Sequence, residues 1–300
     1  MNSQFELSPT PTGWRRVLTF PLVQILVALL FVAIPFAVVS TPINLFVTDK
    51  ALKRVGALLL AAVALGGYTA YVRVMEKRSV TELSTRGAAL ELGTGLGLGA
   101  LLFSVTIGIL AGLGVFRVTG QNGWQSMLAF LPACIFAGFL EEILIRGILF
   151  RILEQWLGSW IALAISAIIF GALHLFNPGA TLFAGAAIAI EAGILLAAAY
   201  MLTRRLWLCI GTHIAWNFTQ GGIYSVAVSG GGGKGLLQSK LVGPEYLTGG
   251  AFGAEASVVA LVVCLAAGIV LLVMAIRKGH VVAPSWARKV VRPLTHFAGQ

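Results

Sequence analysis

Long apolar runs, separated by short polar or basic segments, dominate the chain. They lie at about residues 17–40, 55–72, 92–116, 125–150, 157–176, 180–202, 206–228 and 254–276. At 1.5 Å of rise per residue, a helix formed by each run would cross a hydrocarbon core of roughly 30 Å. Continuous apolar runs also lack the alternation that is typical of a transmembrane β-barrel. The pattern therefore predicts an all-α, polytopic transmembrane helix bundle of about eight spans, with the lipid bilayer as its surroundings.

The polar segments divide this bundle into five parts. We predict a cytoplasmic tail at 1–16, N-terminal transmembrane helices at 17–122, a membrane core at 123–228, a flexible glycine-rich outer loop at 229–253, and a last transmembrane helix with a basic cytoplasmic tail at 254–300. The first apolar run is longer than the core of a signal peptide, about 7–15 residues, and no clear cleavage site follows it. We therefore expect the first run to be a retained span.

Composition and charge support the membrane prediction. The chain is 58% hydrophobic and 11% charged, whereas a soluble domain carries roughly 25% charged residues. The net charge of +10 does not indicate nucleic acid as a partner, because the basic residues stand at the ends of apolar runs. With the amino terminus inside, 15 basic residues lie inside and 6 outside, which predicts that both termini are cytoplasmic. The richness in Ala, Gly and Leu favours a bacterial inner membrane.

Two further residue types, cysteine and glycine, are predicted to have structural roles. The three cysteines, Cys134, Cys209 and Cys264, lie far apart in apolar runs, so we expect buried free thiols and no disulfide framework. Glycines at 93, 95, 97 and 99 have a small-xxx-small spacing that favours close helix packing in lipid.

Three short motifs contain nearly all the ionisable groups of the predicted spans. This grouping needs an explanation, because each ionisable group costs about 2.5–3.5 kcal/mol at the centre of a bilayer. Glu142 and Arg146 have i,i+4 spacing and can form an ion pair, while Glu141 lies about 100° around the helix and can point elsewhere. The second motif ends at His174, one turn after Phe170, and the third joins His213 and Asn217 on one helix face.

These side chains form a set that suits amide hydrolysis. A carboxylate and an imidazole can hold and deprotonate water. A second imidazole and an amide N–H can stabilise an oxyanion. Alternatively, Glu141, His174 and His213 can bind Zn²⁺ and leave one position open for water, although the HExxH arrangement is absent. From the residues alone, the cofactor is therefore either none or Zn²⁺.

The order EExxxR, FxxxH and HxxxN on separate spans resembles the CPBP family. These are the CAAX-processing and bacteriocin-processing (Abi) intramembrane endopeptidases, and the resemblance covers about residues 125–220. It implies that Glu141 and His174 activate water and that His213 and Asn217 stabilise the oxyanion. It also implies that Glu142, Arg146 and Phe170 support the site.

The resemblance further implies a peptide or membrane-protein substrate. The family has been described both as metal-dependent and as glutamate-dependent. We favour the metal-free form, because the amide of Asn217 is a poor zinc ligand.

Other interpretations compete with this one. Buried glutamate and histidine side chains are also typical of proton-coupled carriers, and a non-catalytic scaffold or immunity protein is a third candidate. For Glu191, an acidic residue that lies within a span and outside the three motifs, we predict a structural or polar-cavity role. Counting depth from the predicted helix ends places His174 near the outer surface and His213 nearer the inner one. The implied separation, on the order of 10 Å, conflicts with a shared site.

Overall fold

The structure, a computed structural model, describes residues 13–288, so most of the predicted amino-terminal tail and the end of the basic tail lie outside the described residues. The first half of the chain is almost wholly helical. Its helices are α1 (Trp14–Leu18), α2 (Pro21–Phe46), α3 (Lys50–Val74), a 3₁₀ turn at Thr81–Leu83, and α4 (Ala88–Gly112).

The second half is helical with three π-helical segments. Helix α5 (Trp124–Glu142) passes through a π segment at Ile143–Phe150 into α6 (Arg151–Leu157), which α7 (Ser159–His174) follows. Helix α8 (Leu182–Ile188) passes through Ala189–Gly193 into α9 (Ile194–Thr203), and α10 (Trp207–Asn217) ends in Phe218–Ile223. Helix α11 (Glu245–Thr248), a 3₁₀ turn at Ala254–Ala256 and α12 (Val258–Arg277) complete the described part of the chain.

Six helical stretches are long and apolar enough to cross a membrane, which confirms a polytopic helix bundle and an integral membrane protein. They are Pro21–Phe46, Lys50–Val74, Ala88–Gly112, Trp124–Leu157, Leu182–Thr203 and Val258–Arg277. The count of eight spans is not confirmed. The other two predicted runs, at 157–176 and 206–228, form the shorter helices α7, of 16 residues, and α10, of 11 residues.

The lengths of these helices contradict the predicted difference in depth between the two histidines. The 34-residue stretch Trp124–Leu157 is about 51 Å long, so its α6 end extends beyond a core of roughly 30 Å. The chain then reverses at Gly158, whose φ is +81°, and Glu141 and His174 lie at nearly equal sequence separations on either side of this turn. Helix α7 therefore ends at the level of Glu141, and the side chains of Glu141 and His174 lie close together.

Helix α10 also begins inside the bundle. Arg204, in the turn that precedes α10, contacts Glu154 of α6 with an Nη1–Oε2 distance of 2.6 Å, so this turn lies beside α6 and not beyond it. The turn is held from the other side by the α3–α4 loop, because the Leu206 N–H donates to the Glu82 carbonyl at 2.9 Å. His213 consequently reaches the level of His174.

Close contacts between helix backbones hold α4 against α10. A side chain at Gly95 or Gly99 would overlap carbonyl oxygens of α10, whereas nothing lies within 4 Å of a Cβ at Gly93 or Gly97. Two of the four glycines thus have the predicted packing role. The three cysteines are buried and free, as predicted.

The predicted flexible loop at 229–253 is partly ordered. Strand β1 (Phe116–Gln121) pairs antiparallel with β2 (Leu237–Leu241), and the register shifts between Val118 and Gly120. The prediction missed this ribbon because a five-residue strand beside a glycine run gives almost no periodic signal. The ribbon ties the segment before α12 to the start of α5.

An ion-pair cluster surrounds α6 and the α3–α4 loop. Arg78 contacts Glu76 and Glu82, each at 2.7 Å, and Arg151 contacts Glu76 at 2.6 Å. Two flanking pairs, Arg204 with Glu154 and Arg205 with Glu91, complete what we call the ion-pair cluster. Every glutamate of the cluster is matched by an arginine.

Candidate active site

The two adjacent glutamates at the end of α5 have opposite surroundings. Glu142 is fully buried, and its Oε1 accepts from Arg146 Nη1 at 2.9 Å and lies 2.9 Å from His213 Nδ1. Glu142 and Arg146 therefore form the ion pair that their spacing predicts. Glu141, one residue earlier, has a side chain that is 32% exposed and faces a different group of residues.

Arg146 links three elements of the site. Its Nη2 donates to the carbonyl of Ala192 at 3.0 Å and to that of Gly193 at 3.3 Å, which ties its own π segment to the π segment between α8 and α9. Its guanidinium lies 4.6 Å from the ring centroid of Phe170, a favourable cation–π distance. The Phe170 ring in turn packs against His174, with centroids 4.6 Å apart.

Both imidazoles are oriented through Nδ1. His174 Nδ1 lies 2.8 Å from the Phe170 carbonyl, which can only accept, so this nitrogen carries a hydrogen. His213 Nδ1 faces the carboxylate of Glu142, which is ion-paired with Arg146 and also acts as an acceptor. Each ring consequently turns its Nε2 towards Glu141.

Glu141 is where the three motifs meet. Its Oε2 lies 4.0 Å from His174 Nε2 and 3.8 Å from His213 Nε2. These distances are too long for direct hydrogen bonds, and the Oε2 atom is buried with no hydrogen-bond partner. The arrangement therefore leaves one carboxylate oxygen and two ring nitrogens directed at a common gap.

Three cavities adjoin this gap, and Asn217 lines two of them. The largest, about 320 Å³, is lined by Glu141, His174, Asn217 and the loop at 228–232. A second, about 210 Å³, opens beside Leu173 and is lined by Glu141 and His174. A third, about 40 Å³, lies behind the histidines and is also lined by Asn217.

The carboxylate and the two imidazoles are not spaced as zinc ligands. Bond lengths of about 2.0–2.2 Å in a tetrahedral site separate neighbouring donors by roughly 3.3–3.6 Å, which is shorter than the 3.8 and 4.0 Å found here. Within residues 13–288, no group of three or more His, Cys, Asp or Glu side chains is arranged to hold a metal ion.

Sequence reasoning missed two residues near the site. Glu255 lies in the 3₁₀ turn before α12, and with Ser229 it lines the smallest cavity. Neither belongs to a motif, and the only available signal was a single acidic residue at the start of the last apolar run. The tertiary fold brings both residues to the site.

The match to a protein family agrees with the three motifs. Residues 123–219 match the family model described as type II CAAX prenyl endopeptidase Rce1-like. No curated protein and no solved structure matches the chain. The matched segment contains Glu141, Glu142, Arg146 and both histidines. The resemblance predicted from the motifs is therefore confirmed over residues 123–219, about a third of the chain, which are similar to the Rce1-like family.

Proposed function

We propose that the protein is an intramembrane endopeptidase that hydrolyses a peptide bond in a membrane-associated protein or peptide. The family match supports CAAX-type endopeptidase activity in general. The observation that carries the mechanism is the unpartnered Glu141 Oε2, 4.0 Å from one imidazole nitrogen and 3.8 Å from another. A water molecule in that gap would replace the missing hydrogen bonds.

The attacking water would be activated by Glu141 and His174. It donates one hydrogen to Glu141 Oε2 and the other to His174 Nε2, whose lone pair is available because Nδ1 holds the ring hydrogen. As the water oxygen bonds to the scissile carbonyl carbon, its proton passes to Glu141. General base catalysis of this kind contributes roughly 10²–10⁴ in rate.

The developing oxyanion would be stabilised by His213 and Asn217. A proton on His213 Nε2 and the amide N–H of Asn217 would point at the oxygen, and the buried Glu142 would stabilise the positive charge of the His213 ring through Nδ1. Arg146 holds Glu142 in place. Glu141 then returns its proton to the amide nitrogen, and the C–N bond breaks.

The cavities suit an extended substrate. Those of about 320 and 210 Å³ both reach Glu141 and His174, so a peptide that passes from one to the other would place a bond over the gap. The smaller one has an apolar rim that includes Leu144, Ile145 and Leu173, which suits a lipid-embedded or lipid-modified residue. We place the protein in a bacterial inner membrane with both termini cytoplasmic, on the basis of its composition and its basic residues.

The test is peptide cleavage by the purified full-length protein in lipid. Prenylated and unprenylated CAAX peptides and a membrane-anchored peptide would be offered to the wild type, Glu141→Ala and His174→Ala, with and without a strong zinc chelator. We expect cleavage by the wild type that survives the chelator and is lost in both variants. Equal cleavage by all three proteins would contradict the site, and loss in the chelator would contradict the metal-free mechanism.

A further inference from the structure

A second pair of carboxyl groups lies behind the candidate active site. Glu191, in the π segment between α8 and α9, and Glu255, before α12, are 1% and 2% exposed. Both line the cavity of about 40 Å³, together with His174, His213 and Asn217. The proposed mechanism uses neither glutamate.

The Glu191 carboxyl lacks the partners that a buried charge needs. Its Oε2 is enclosed and has no hydrogen-bond partner. Apolar side chains, among them Ile188, Leu195 and Leu196, form most of the cavity wall around it. An isolated carboxylate in such surroundings is very costly, whereas the protonated acid is neutral and can also donate a hydrogen bond.

Glu255 differs because it has partners. Its Oε1 accepts from the backbone N–H of Ser229 and from the Ser229 hydroxyl, the latter at 2.9 Å. Burial raises the pKa of the Glu255 carboxyl, and its hydrogen bonds with Ser229 only partly oppose this effect. Two carboxyl groups that line one cavity also disfavour ionisation of each other, which favours retention of one proton by the pair.

The cavity connects this pair to the reacting groups. A single water needs at least about 10–15 Å³ of such volume, so the cavity of about 40 Å³ has room for water. The titratable and charged groups around Glu191, from every element packed against it, are Glu255, Cys264, His174, His213 and Arg146. Of these, Glu255 and the two histidines line the cavity with polar atoms that cavity water can contact.

We propose that Glu191 and Glu255 form a buried acid pair that stores one proton and supplies it to the cleavage site through the waters of this cavity. This proposal rests on the proposed function and accounts for the protons of the two products. Hydrolysis first gives a neutral amine and a carboxylic acid. The pair donates its proton to the amine, which becomes ammonium, and the proton released by the new carboxylic acid refills the pair. The ammonium has no lone pair, so it cannot re-form the peptide bond.

The stored proton has a direct spectroscopic test that does not require cleavage. Infrared spectra of the full-length protein in lipid at pH 7 should contain the carbonyl-stretch band of a protonated carboxyl group, shifted down in D₂O. We expect Glu191→Gln to lose the band. Glu245→Gln, a change of the same type at an exposed position, should retain it. Absence of the band in the wild type would overturn the proposal.

The delivery step has a kinetic test. The proposed pair holds its proton at lower pH and loses it as the pH rises, so wild-type kcat should fall on the alkaline side. Glu191→Gln should lower kcat about tenfold with KM unchanged, and should remove this alkaline fall, because an amide cannot supply the proton. Glu255→Gln is the second variant if Glu191→Gln does not fold.

The outcomes separate the two proposals. An infrared band with unchanged kcat and an unchanged alkaline fall in both variants would overturn proton delivery while the endopeptidase proposal stands. A wild-type protein that cleaves no peptide would contradict the endopeptidase proposal and the delivery step together. The infrared band would still decide whether the pair holds a proton.

Discussion

The ion-pair cluster around α6 and the candidate active site contain the same kinds of residues and treat their charges differently. In the cluster, each glutamate has an arginine within 2.5–2.7 Å. In the active site, Glu142 has such a partner, and Glu141 has none within hydrogen-bond distance. Paired charges satisfy one another and hold helices in place, whereas an unpaired carboxylate remains available to a water molecule. The paired glutamates of the cluster thus have a structural role, whereas the unpaired Glu141 is available for chemistry within the same membrane domain.

The largest effect on cleavage should come from replacing Glu141, the glutamate without an ion-pair partner. Glu141→Gln keeps the shape of the side chain and removes the base, so we expect cleavage to fall by roughly 10⁴, about 5.5 kcal/mol in activation free energy. The thermal unfolding midpoint should change little, because no ion pair is broken. A large loss of stability in this variant would contradict the contrast between the two glutamates.

Removing the arginine of the Glu142–Arg146 ion pair should lower stability, in contrast to the change at Glu141. Arg146→Met leaves the buried Glu142 without its cation, and we expect the free energy of unfolding to fall by about 3–5 kcal/mol, measured by thermal unfolding in detergent. Adding Glu142→Gln to this variant should restore much of the stability, since no uncompensated charge then remains. If the double variant is no more stable than the single one, Arg146 acts through packing and not through charge.

A backbone contact can test how strictly the helix of the third motif must be positioned. Gly99→Ala would force a methyl group into the backbone of α10, and we expect a loss of about 1–3 kcal/mol together with reduced cleavage. Gly97→Ala is the matched control, because nothing lies within 4 Å of its Cβ. Similar results for the two variants would mean that α10 does not depend on this contact.

The smallest effect is expected in the ion-pair cluster itself. Arg205 and Glu91 are 24% and 17% exposed, so water screens their attraction. Arg205→Gln should cost about 0–1 kcal/mol in unfolding free energy and leave cleavage unchanged. A strong loss of cleavage here would show that the cluster has a chemical role and would remove the distinction drawn above.

Much of the candidate site was predictable because it rests on local spacing. The pair Glu142–Arg146 and the contact of Phe170 with His174 both join residues four apart on a helix, a distance that the helix itself fixes. The predicted roles of Glu141, His174, His213 and Asn217 remain proposals. Their convergence on one gap could not be read from spacing, because it depends on where each helix begins.

The sequence alone determined that this protein lies in a bilayer and that its fold is a helix bundle, because continuous apolar runs long enough to span a bilayer form helices there. It also determined the three motifs. Only the tertiary structure decided that α5 and α6 form one continuous stretch of 34 residues, and that the chain reverses after it so that α7 ends level with Glu141. Only the fold brought Glu255 beside Glu191, since these residues are 64 positions apart and interact through a shared cavity and not through a helix turn.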